Sequence, residues 1–202
     1  MKSRKSCLVV LFAFLLVAGC GGAYVNPNYS FEEQASPKLA IAPVLPQEDL
    51  LASFVDSFFV VIFEDTTKSD LLVPPAHVRE VMGDDKTIAG ILSVMQGTDF
   101  TKEELKGDVS IANKTSADKL SSMRSSLGDA DLLLIPRGWR VTSAAGYTMG
   151  ACTFRLYDMR TGQMIYEKDH DLNVNVSGTI GKQLISGHLI GFVYDYYMSS
   201  IE

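Results

Sequence analysis

Cysteine is scarce in this chain of 202 residues, and its three cysteines, Cys7, Cys20 and Cys152, lie far apart. No two of them have the close spacing of a zinc-binding or redox pair. Four residues after His77 stands Val81, and four residues after His188 stands Phe192, so neither histidine has a metal-binding side chain at that spacing. The sequence therefore predicts no metal site, and it predicts Cys152, within an alternating run, to be a small buried apolar residue.

Basic residues are also few: 18 lysines and arginines stand against 24 aspartates and glutamates. Nucleic acids and anionic lipid surfaces are bound by basic faces, which an acidic chain does not favour. We therefore expect no nucleic-acid partner, and we interpret the acidity as a source of solubility.

Long hydrophobic runs are missing as well. The apolar stretch from Leu8 to Val17 is half the length that a membrane-spanning helix needs. The helical pattern over 48–65 contains Asp56, and a final helix over 179–201 is interrupted by Lys182, His188 and Asp195. None of these segments is predicted to span a bilayer.

Motifs of enzymes and cofactor sites are absent from the sequence. Residues 146–150 contain two glycines, but they lack the lysine and the following helix of a phosphate-binding loop. The run Asp169-His170-Asp171 suggests a hydrolase, yet an alternating strand points His170 away from both carboxylates. We expect a solvated polar strand there, no cofactor and no enzyme activity, with a hydrolase as the remaining alternative.

The N-terminus carries Lys2, Arg4 and Lys5 before the apolar stretch, which is typical of a secretory signal. The stretch ends in Leu16-Val17-Ala18-Gly19-Cys20, which resembles the lipobox of bacterial lipoproteins. The resemblance implies cleavage before Cys20 and lipid, including palmitate, on its thiol and new terminus. No aspartate follows Cys20, which by analogy favours the outer membrane, facing the periplasm; the alternative is an ordinary signal peptide.

Removal of residues 1–19 leaves 183 residues, a size that suits one domain. It takes three of the 18 basic residues, so that 15 basic and 24 acidic side chains give a net charge of −9. Cys152 then remains alone, which excludes an intramolecular disulfide. We assign residues 20–37 to the lipidated N-terminus and a flexible tether, and residues 38–202 to a periplasmic α/β domain.

The hydrophobic pattern predicts an α/β fold with strands and helices in mixed order. The clearest signal is a late β-hairpin, in which residues 158–162 connect two alternating strands and Gly162 takes a positive φ. Strands are predicted over 38–44, 71–73, 131–136 with a continuation over 138–142, 147–157 and 163–176. Helices are predicted over 48–65, 75–82, 115–127 and 179–201, with short helices near 87–95 and 101–106.

Three local sequences carry a family resemblance. They are Lys38-Leu39-Ala40-Ile41-Ala42-Pro43, the run from Leu127 to Leu134, and the hairpin from Phe154 to Tyr166. Together they are similar to the periplasmic lipoproteins around the curli-secretion protein CsgG, the exopolysaccharide lipoprotein PelC and the N-terminal domain of TolB. The resemblance implies a three-layer sandwich with a mixed sheet and a role in outer-membrane assembly or export.

The pore-forming member of that family inserts long amphipathic hairpins into the membrane, and the sequence contains no such pair. A periplasmic ring or a monomeric accessory protein remains open. We expect a non-catalytic interaction component that binds periplasmic or outer-membrane proteins, with a small-molecule or glycan binder as the alternative. The candidate binding patch is Arg137, Trp139, Arg140 and Tyr147, with Trp139 covering the sheet end as an equal alternative. The candidate oligomer interface is Tyr194, Tyr196 and Tyr197.

Overall fold

The structure is a computed structural model that describes residues 23–29, 37–44, 49–64, 71–101, 103–106, 109–111 and 117–201. Cys20 and the predicted signal peptide lie outside the described residues. The described part of the chain forms one six-stranded sheet in the order β1-β6-β5-β4-β2-β3. Its strands are β1 (Tyr24–Val25), β2 (Leu39–Ile41), β3 (Leu72–Val73), β4 (Leu132–Ala144), β5 (Tyr147–Asp158) and β6 (Met164–Val174).

The sheet is mixed, as the sequence predicts. β2 runs parallel to both β3 and β4, because the connections between them contain helices. β4, β5 and β6 follow one another through short turns and are therefore antiparallel. Gly162 has a φ of +71° in the hairpin between β5 and β6, which confirms the predicted turn.

Helices lie on both faces of this sheet. The described helices are α1 (Asp49–Glu64), α2 (Pro75–Asp84), α3 (Lys86–Gly97), α4 (Ala117–Ser126) and α5 (Gly178–Ile201), and a 3₁₀ turn is formed by Glu104–Lys106. Proline at the first position of α2 fits a helix start, since that backbone nitrogen has no helical acceptor. The helices predicted from the sequence are thus present, with ends displaced by a few residues.

Two hydrophobic cores separate the three layers. On one face, Phe59 of α1 and Ile185 of α5 pack with Phe154 of the sheet. On the other face, Leu92 of α3 and Met123 of α4 pack with Leu133 of the sheet. The protein is therefore a three-layer α/β sandwich with a late hairpin, which confirms the predicted fold class. No helix in the described ranges has the length and apolarity needed to cross a membrane.

The segment predicted as a flexible tether departs from that prediction. Tyr24 and Val25 pair with Glu167 and Tyr166 and add an antiparallel edge strand to the sheet. Tyr24 is buried, and its hydroxyl oxygen accepts a hydrogen bond from the backbone N–H of Val109. The prediction was wrong for residues 24–29. Residues 21–37 are mostly polar, but they include Tyr24, whose aromatic side chain packs in the core.

Two further groups hold this segment in place. The side-chain amide of Asn26 donates to the carbonyl oxygen of Met164 at 3.3 Å. The hydroxyl of Tyr29 donates to a carboxylate oxygen of Asp158 at 3.3 Å. Burial, together with the nearby carboxylate of Asp158, raises the pKa of Tyr29 to about 12. Residues 24–29 are therefore part of the folded domain, and three peptide units of the chain separate Ala23 from Cys20.

Candidate functional site: the open sheet face

The antiparallel half of the sheet extends beyond the helices α2, α3 and α4. On that side, the C-terminal part of β4, the N-terminal part of β5 and the C-terminal part of β6 carry exposed or half-buried side chains. Residues directly opposite one another in paired strands point to the same face of a sheet. The strand register therefore defines an open sheet face, which consists of Arg137, Arg140, Thr142, Ala144, Tyr147, Met149, Ala151, Thr153, Asp169, Asp171 and Asn173.

The paired residues of this face form rows that run across the three strands. Arg137, Thr153 and Asp169 form one row, and Arg140, Ala151 and Asp171 form the next. Thr142, Met149 and Asn173 form the third row, and Ala144 and Tyr147 face each other beyond it. Each of the first two rows therefore has an arginine at one edge of the open sheet face and an aspartate at the other.

A β-bulge in β4 decides which side chains reach the open sheet face. Arg137 pairs with Thr153 and Arg140 pairs with Ala151, so that β4 uses one more residue than β5 over this stretch. Gly138 lies inside the bulge with a φ of +59°, a conformation that glycine adopts without strain. The extra residue puts Arg137 and Arg140 on the same face, which simple alternation would not do.

Trp139 lies on the opposite face. It is 3% exposed and packs edge-to-face against Phe154, with ring centroids 6.1 Å apart. The prediction of one patch that includes Trp139 was wrong, because the bulge turns this indole into the core under α5. The alternative, in which Trp139 covers the sheet end, describes its position.

Arg137 is on the open sheet face, but its guanidinium is already engaged. It donates to a carboxylate oxygen of Asp99 at 2.6 Å and to the carbonyl oxygen of Thr98 at 3.1 Å. The charge and hydrogen bond of Arg137 lower the pKa of Asp99. This arginine therefore fastens the residues after α3 to the sheet, and only part of its charge is presented to solvent.

Arg140 and Asp171 differ from Arg137 in this respect. Both are exposed, and within the described part of the chain neither has an ion-pair or hydrogen-bond partner. They occupy the same row two strands apart, on either side of Ala151. Tyr147 and Met149, which follow at the centre of the face, are 43% and 49% exposed. The face thus combines an apolar centre with two charges of opposite sign at its edges.

Asp169, His170 and Asp171 do not form a catalytic cluster. Both aspartates are exposed on the open sheet face, and the hydroxyl of Thr153 donates to Asp169 at 2.6 Å. His170 points into the other core, where it stacks on Phe192 with ring centroids 5.2 Å apart. Burial, with a contribution from the charge of Lys168, lowers the pKa of His170 to about 4. The alternation predicted from the sequence is confirmed.

Cys152 is buried in the same core, and burial raises the pKa of its thiol well above the ordinary value. The prediction of a small buried residue is confirmed. Nucleophilic and metal-binding cysteines act as thiolates, which this environment disfavours. The described residues also contain no group of three histidine, cysteine, aspartate or glutamate side chains that is arranged to hold a metal ion.

The predicted tyrosine interface lies on α5. Tyr194 is half-buried and packs edge-to-face on Phe63 of α1, with ring centroids 5.3 Å apart. It therefore lies at the periphery of the core, and the predicted oligomer interface stays a prediction. The side chains of Tyr196 and Tyr197 lie outside the described residues.

A shallow groove of about 340 Å³ lies at the other edge of the sheet, between β1, β6 and α5. Its lining includes Val25, Tyr166 and Phe192, with Lys168 and Asp195 as charged members. None of the residues of the predicted binding patch lines this groove. Around Arg140 and Tyr147 the surface is a sheet face, which suits a protein partner better than an enclosed small molecule.

No protein-family model and no curated protein sequence matches the chain. Among solved structures, a hypothetical protein from Chlamydia trachomatis matches with a TM-score of 0.50 and 13% identity, over 81% of this chain and 96% of that one. A PelC dodecamer from Paraburkholderia phytofirmans matches with a TM-score of 0.48 and 13% identity, over 85% of this chain and 92% of its own. A lipoprotein from Neisseria meningitidis matches with a TM-score of 0.39 and 14% identity, over 82% and 100%. The similarity to the Chlamydia trachomatis protein shows a shared fold.

The sequence did not single out Met149 or the pairing of Arg140 with Asp171 across the sheet. Met149 lies in a strand that alternates, so its place on the face of Tyr147 was available from the pattern. The bulge was signalled only by Gly138, because a glycine inside a strand often marks such an irregularity.

Proposed function

We propose that this protein is a lipid-anchored component of the bacterial envelope that acts by binding other proteins, without catalysis. Its place is the periplasmic side of the outer membrane, and its role lies in an export or assembly system. The observation that carries the proposal is the open sheet face, where Tyr147 and Met149 are exposed among polar and charged side chains and no described helix covers the strands.

The open sheet face has the composition of a protein-binding surface. Tyrosine, methionine and arginine are enriched at interfaces, and Tyr147, Met149 and Arg140 are neighbours here. Exposed apolar groups beside polar edges are typical of surfaces that another protein covers. The backbone that carries these side chains is fixed by strand pairing, because they project from paired strands rather than from a loop.

The lipid anchor is supported by the signal-like N-terminus and the small residues before Cys20. Since residues 24–29 are docked on the sheet, the three peptide units from Cys20 to Ala23 limit their separation to about 11 Å. A lipid on Cys20 would therefore hold the domain close to the membrane surface and leave little rotational freedom.

Site-specific photo-cross-linking in living cells tests the binding face. A benzophenone amino acid replaces Met149 in the full chain, and Glu80 of α2, an exposed residue on another surface, is the matched control. We expect defined adducts from position 149 that are absent from position 80. Equal labelling from both positions, or none from either, would contradict a binding role for the open sheet face.

Metabolic labelling with a palmitate analogue tests the anchor separately. The wild-type chain should incorporate the label, and Cys20→Ala should not. A chain that starts at Gly21 behind an ordinary cleavable secretion signal should leave the membrane fraction, since it has no acyl chains to bury. Label in the Cys20→Ala variant would rule out lipidation at this thiol.

A further inference from the structure

Exposed apolar side chains are concentrated at one end of the sheet. Five of the eight large hydrophobic residues that the described part of the chain exposes lie there: Tyr147, Met149, Val176, Ile180 and Leu184. Ile180, in the first turn of α5, is 64% exposed. Single exposed apolar residues are common on proteins, but a group of them at one place marks a surface that binds another protein or a membrane.

Hydrogen bonds bring this end of the domain together. The hydroxyl of Thr148 in β5 donates to the carbonyl oxygen of Val176 at 2.8 Å. The backbone N–H of Gly178, where α5 begins, donates to the hydroxyl oxygen of Ser143 in β4 at 2.6 Å. The first turns of α5 are thereby held beside the turn that joins β4 to β5. We call this end the apolar tip, which consists of Tyr147, Val176, Ile180 and Leu184.

The apolar tip is formed by segments without charge. Residues 141–154 contain no aspartate, glutamate, lysine or arginine, and neither do residues 172–181, in a chain in which 21% of the residues are charged. The last charged row of the sheet is that of Arg140 and Asp171. Four residues, or about 14 Å of strand, separate Arg140 from the end of β4. The apolar tip is therefore the part of the sheet that a lipid surface can approach without desolvating a charge.

The chain that leads to Cys20 leaves the domain toward the apolar tip. β1 is antiparallel to β6, with Tyr24 opposite Glu167. Followed backwards from Val25 to Ala23, the chain therefore runs in the direction of β6, toward the end of the sheet that carries the apolar tip. Cys20 is three peptide units, or at most about 11 Å, from Ala23. The lipid on Cys20 is thus tethered to a stretch of chain directed at the same end of the domain.

We propose that the apolar tip enters the headgroup layer of the membrane in which the lipid on Cys20 is anchored, so that the strands stand steeply on the bilayer. The inference rests on the proposed function, because the anchor brings the domain to the membrane. Tyrosine and aliphatic side chains favour this interfacial layer, where protein segments are buried by about 5–10 Å. Arg140 and Asp171, about 14 Å from the tip, stay in water.

This orientation leaves the open sheet face accessible to a protein partner. Met149 precedes the apolar tip by two residues from Tyr147, or about 7 Å along β5, which places it at the water side of the headgroups. The rows of Arg137 and Arg140 lie further from the membrane. The open sheet face therefore stands upright above the bilayer, where a partner in the same membrane reaches it from the side.

The acidity of the remaining chain favours the same orientation. From Cys20 onward, 15 basic and 24 acidic side chains give a net charge of −9, which an anionic lipid surface repels. An uncharged end approaches such a surface at the lowest electrostatic cost. The contact is apolar, so it should persist at high salt, where the attraction of a basic patch would be screened.

Fluorescence quenching in the anchored protein tests the contact. The lipidated chain, purified from membranes, carries a nitrobenzoxadiazole label on Ile180→Cys in vesicles of equal parts phosphatidylethanolamine and phosphatidylglycerol. Lipids with nitroxide groups near the headgroups should lower its emission about threefold, because the label lies in the interfacial layer. Val61→Cys on α1, which is 64% exposed like Ile180, is the matched control and should be quenched by aqueous iodide instead. The same quenching pattern at both positions would overturn the proposal.

Charges introduced at the apolar tip give a second comparison. Val176→Glu combined with Leu184→Glu, in the chain labelled at position 180, should return the quenching to the level at position 61, because carboxylates favour water over the interfacial layer. Val94→Glu on α3 is the matched control and should leave the quenching unchanged. Contact that is lost at high salt, or that survives both carboxylates, would contradict an apolar tip.

Failure of this inference is distinguishable from failure of the proposed function. A chain that incorporates palmitate, but whose label at position 180 stays in water, would keep the anchor and exclude contact of the apolar tip with the membrane. A chain that incorporates no palmitate would remove the anchor and the inference together.

Discussion

The imidazole of His170 lies between Phe192, on which it stacks, and Phe154, whose ring meets it edge-on at 5.7 Å between centroids. Its Nε2 atom is buried without a hydrogen-bond partner among the described residues. Such a site favours the neutral imidazole over the protonated form, because burial removes the water that would solvate the charge. One side chain thereby links the stability of the fold to pH.

His170→Phe should remove this pH dependence. A base whose pKa falls from 6.5 to about 4 on folding binds fewer protons in the folded state, so stability declines as the pH drops through that interval. The wild type should lose about 1–2 kcal/mol at pH 4.5 relative to the variant, with little difference at pH 7. Urea unfolding at both pH values measures the effect, and parallel pH profiles would contradict it.

Arg155 is a buried charge with a structural role. Its guanidinium pairs with Glu167 on the neighbouring strand, and it donates to the carbonyl oxygens of Met95 and Thr98 at 3.1 and 2.5 Å. The ring of Phe100 lies 5.0 Å from its central carbon. These contacts satisfy the carbonyl groups at the end of α3, which helices leave without internal partners.

Arg155→Met should therefore destabilise the fold by about 3–5 kcal/mol, since it leaves the Glu167 carboxylate and the Met95 carbonyl group without this partner and removes one of the two donors to the Thr98 carbonyl group. Arg140→Met, on the exposed part of the preceding strand, is the matched control and should change stability by less than about 0.5 kcal/mol. Chemical denaturation of both variants compares them directly. Similar losses for the two arginines would refute the role of Arg155.

At the scale of elements, α5 packs closely on β5 because Gly150 and Gly181 have no side chains. A Cβ atom at Gly150 would lie 2.1 Å from a methyl carbon of Ile185. One at Gly181 would meet the Thr148 hydroxyl oxygen at 2.2 Å. Gly187 of the same helix faces Phe58 of α1.

Gly150→Ala should force α5 away from the sheet and cost about 2–3 kcal/mol, as overpacking of a filled core does. Gly90→Ala, in α3, adds a methyl group where no atom lies within 4 Å. That control should stabilise the protein by about 0.5–1 kcal/mol, because glycine is entropically unfavourable within a helix. If Gly150→Ala leaves the free energy of unfolding unchanged, α5 is not held at this distance from the sheet.

Most elements follow from hydrophobic periodicity. The alternation of Cys152, Phe154 and Leu156 predicts β5, and the spacing of Val55, Phe59 and Phe63 predicts the buried stripe of α1. Edge pairing is different, because β1 contains two residues and has no pattern of its own. Only the presence of β6, with free backbone groups at its edge, turns Tyr24 and Val25 into a strand.

At the scale of the whole molecule, the proposed anchor and the open sheet face are coupled. A chain held at the membrane meets a partner in the same envelope layer more often than a chain free in the periplasm. A chain secreted from Gly21 without Cys20 should therefore give at least tenfold less photo-cross-linked adduct from position 149 than the anchored chain at equal abundance. Quantitative immunoblots of irradiated cells measure this ratio, and equal yields would show that the anchor does not assist binding.

By itself, the sequence determined the fold class, the late hairpin, the burial of Cys152 and the direction of His170, because each depends on local periodicity or turn chemistry. The tertiary structure decided the membership of the open sheet face. A single extra residue at the bulge reverses the side of the sheet to which every following side chain points, which separates Trp139 from Arg137 and places Arg140 beside Arg137. The row that joins Arg140 to Asp171 likewise arises from strand register, which sets side chains beside each other that are 31 positions apart in the chain.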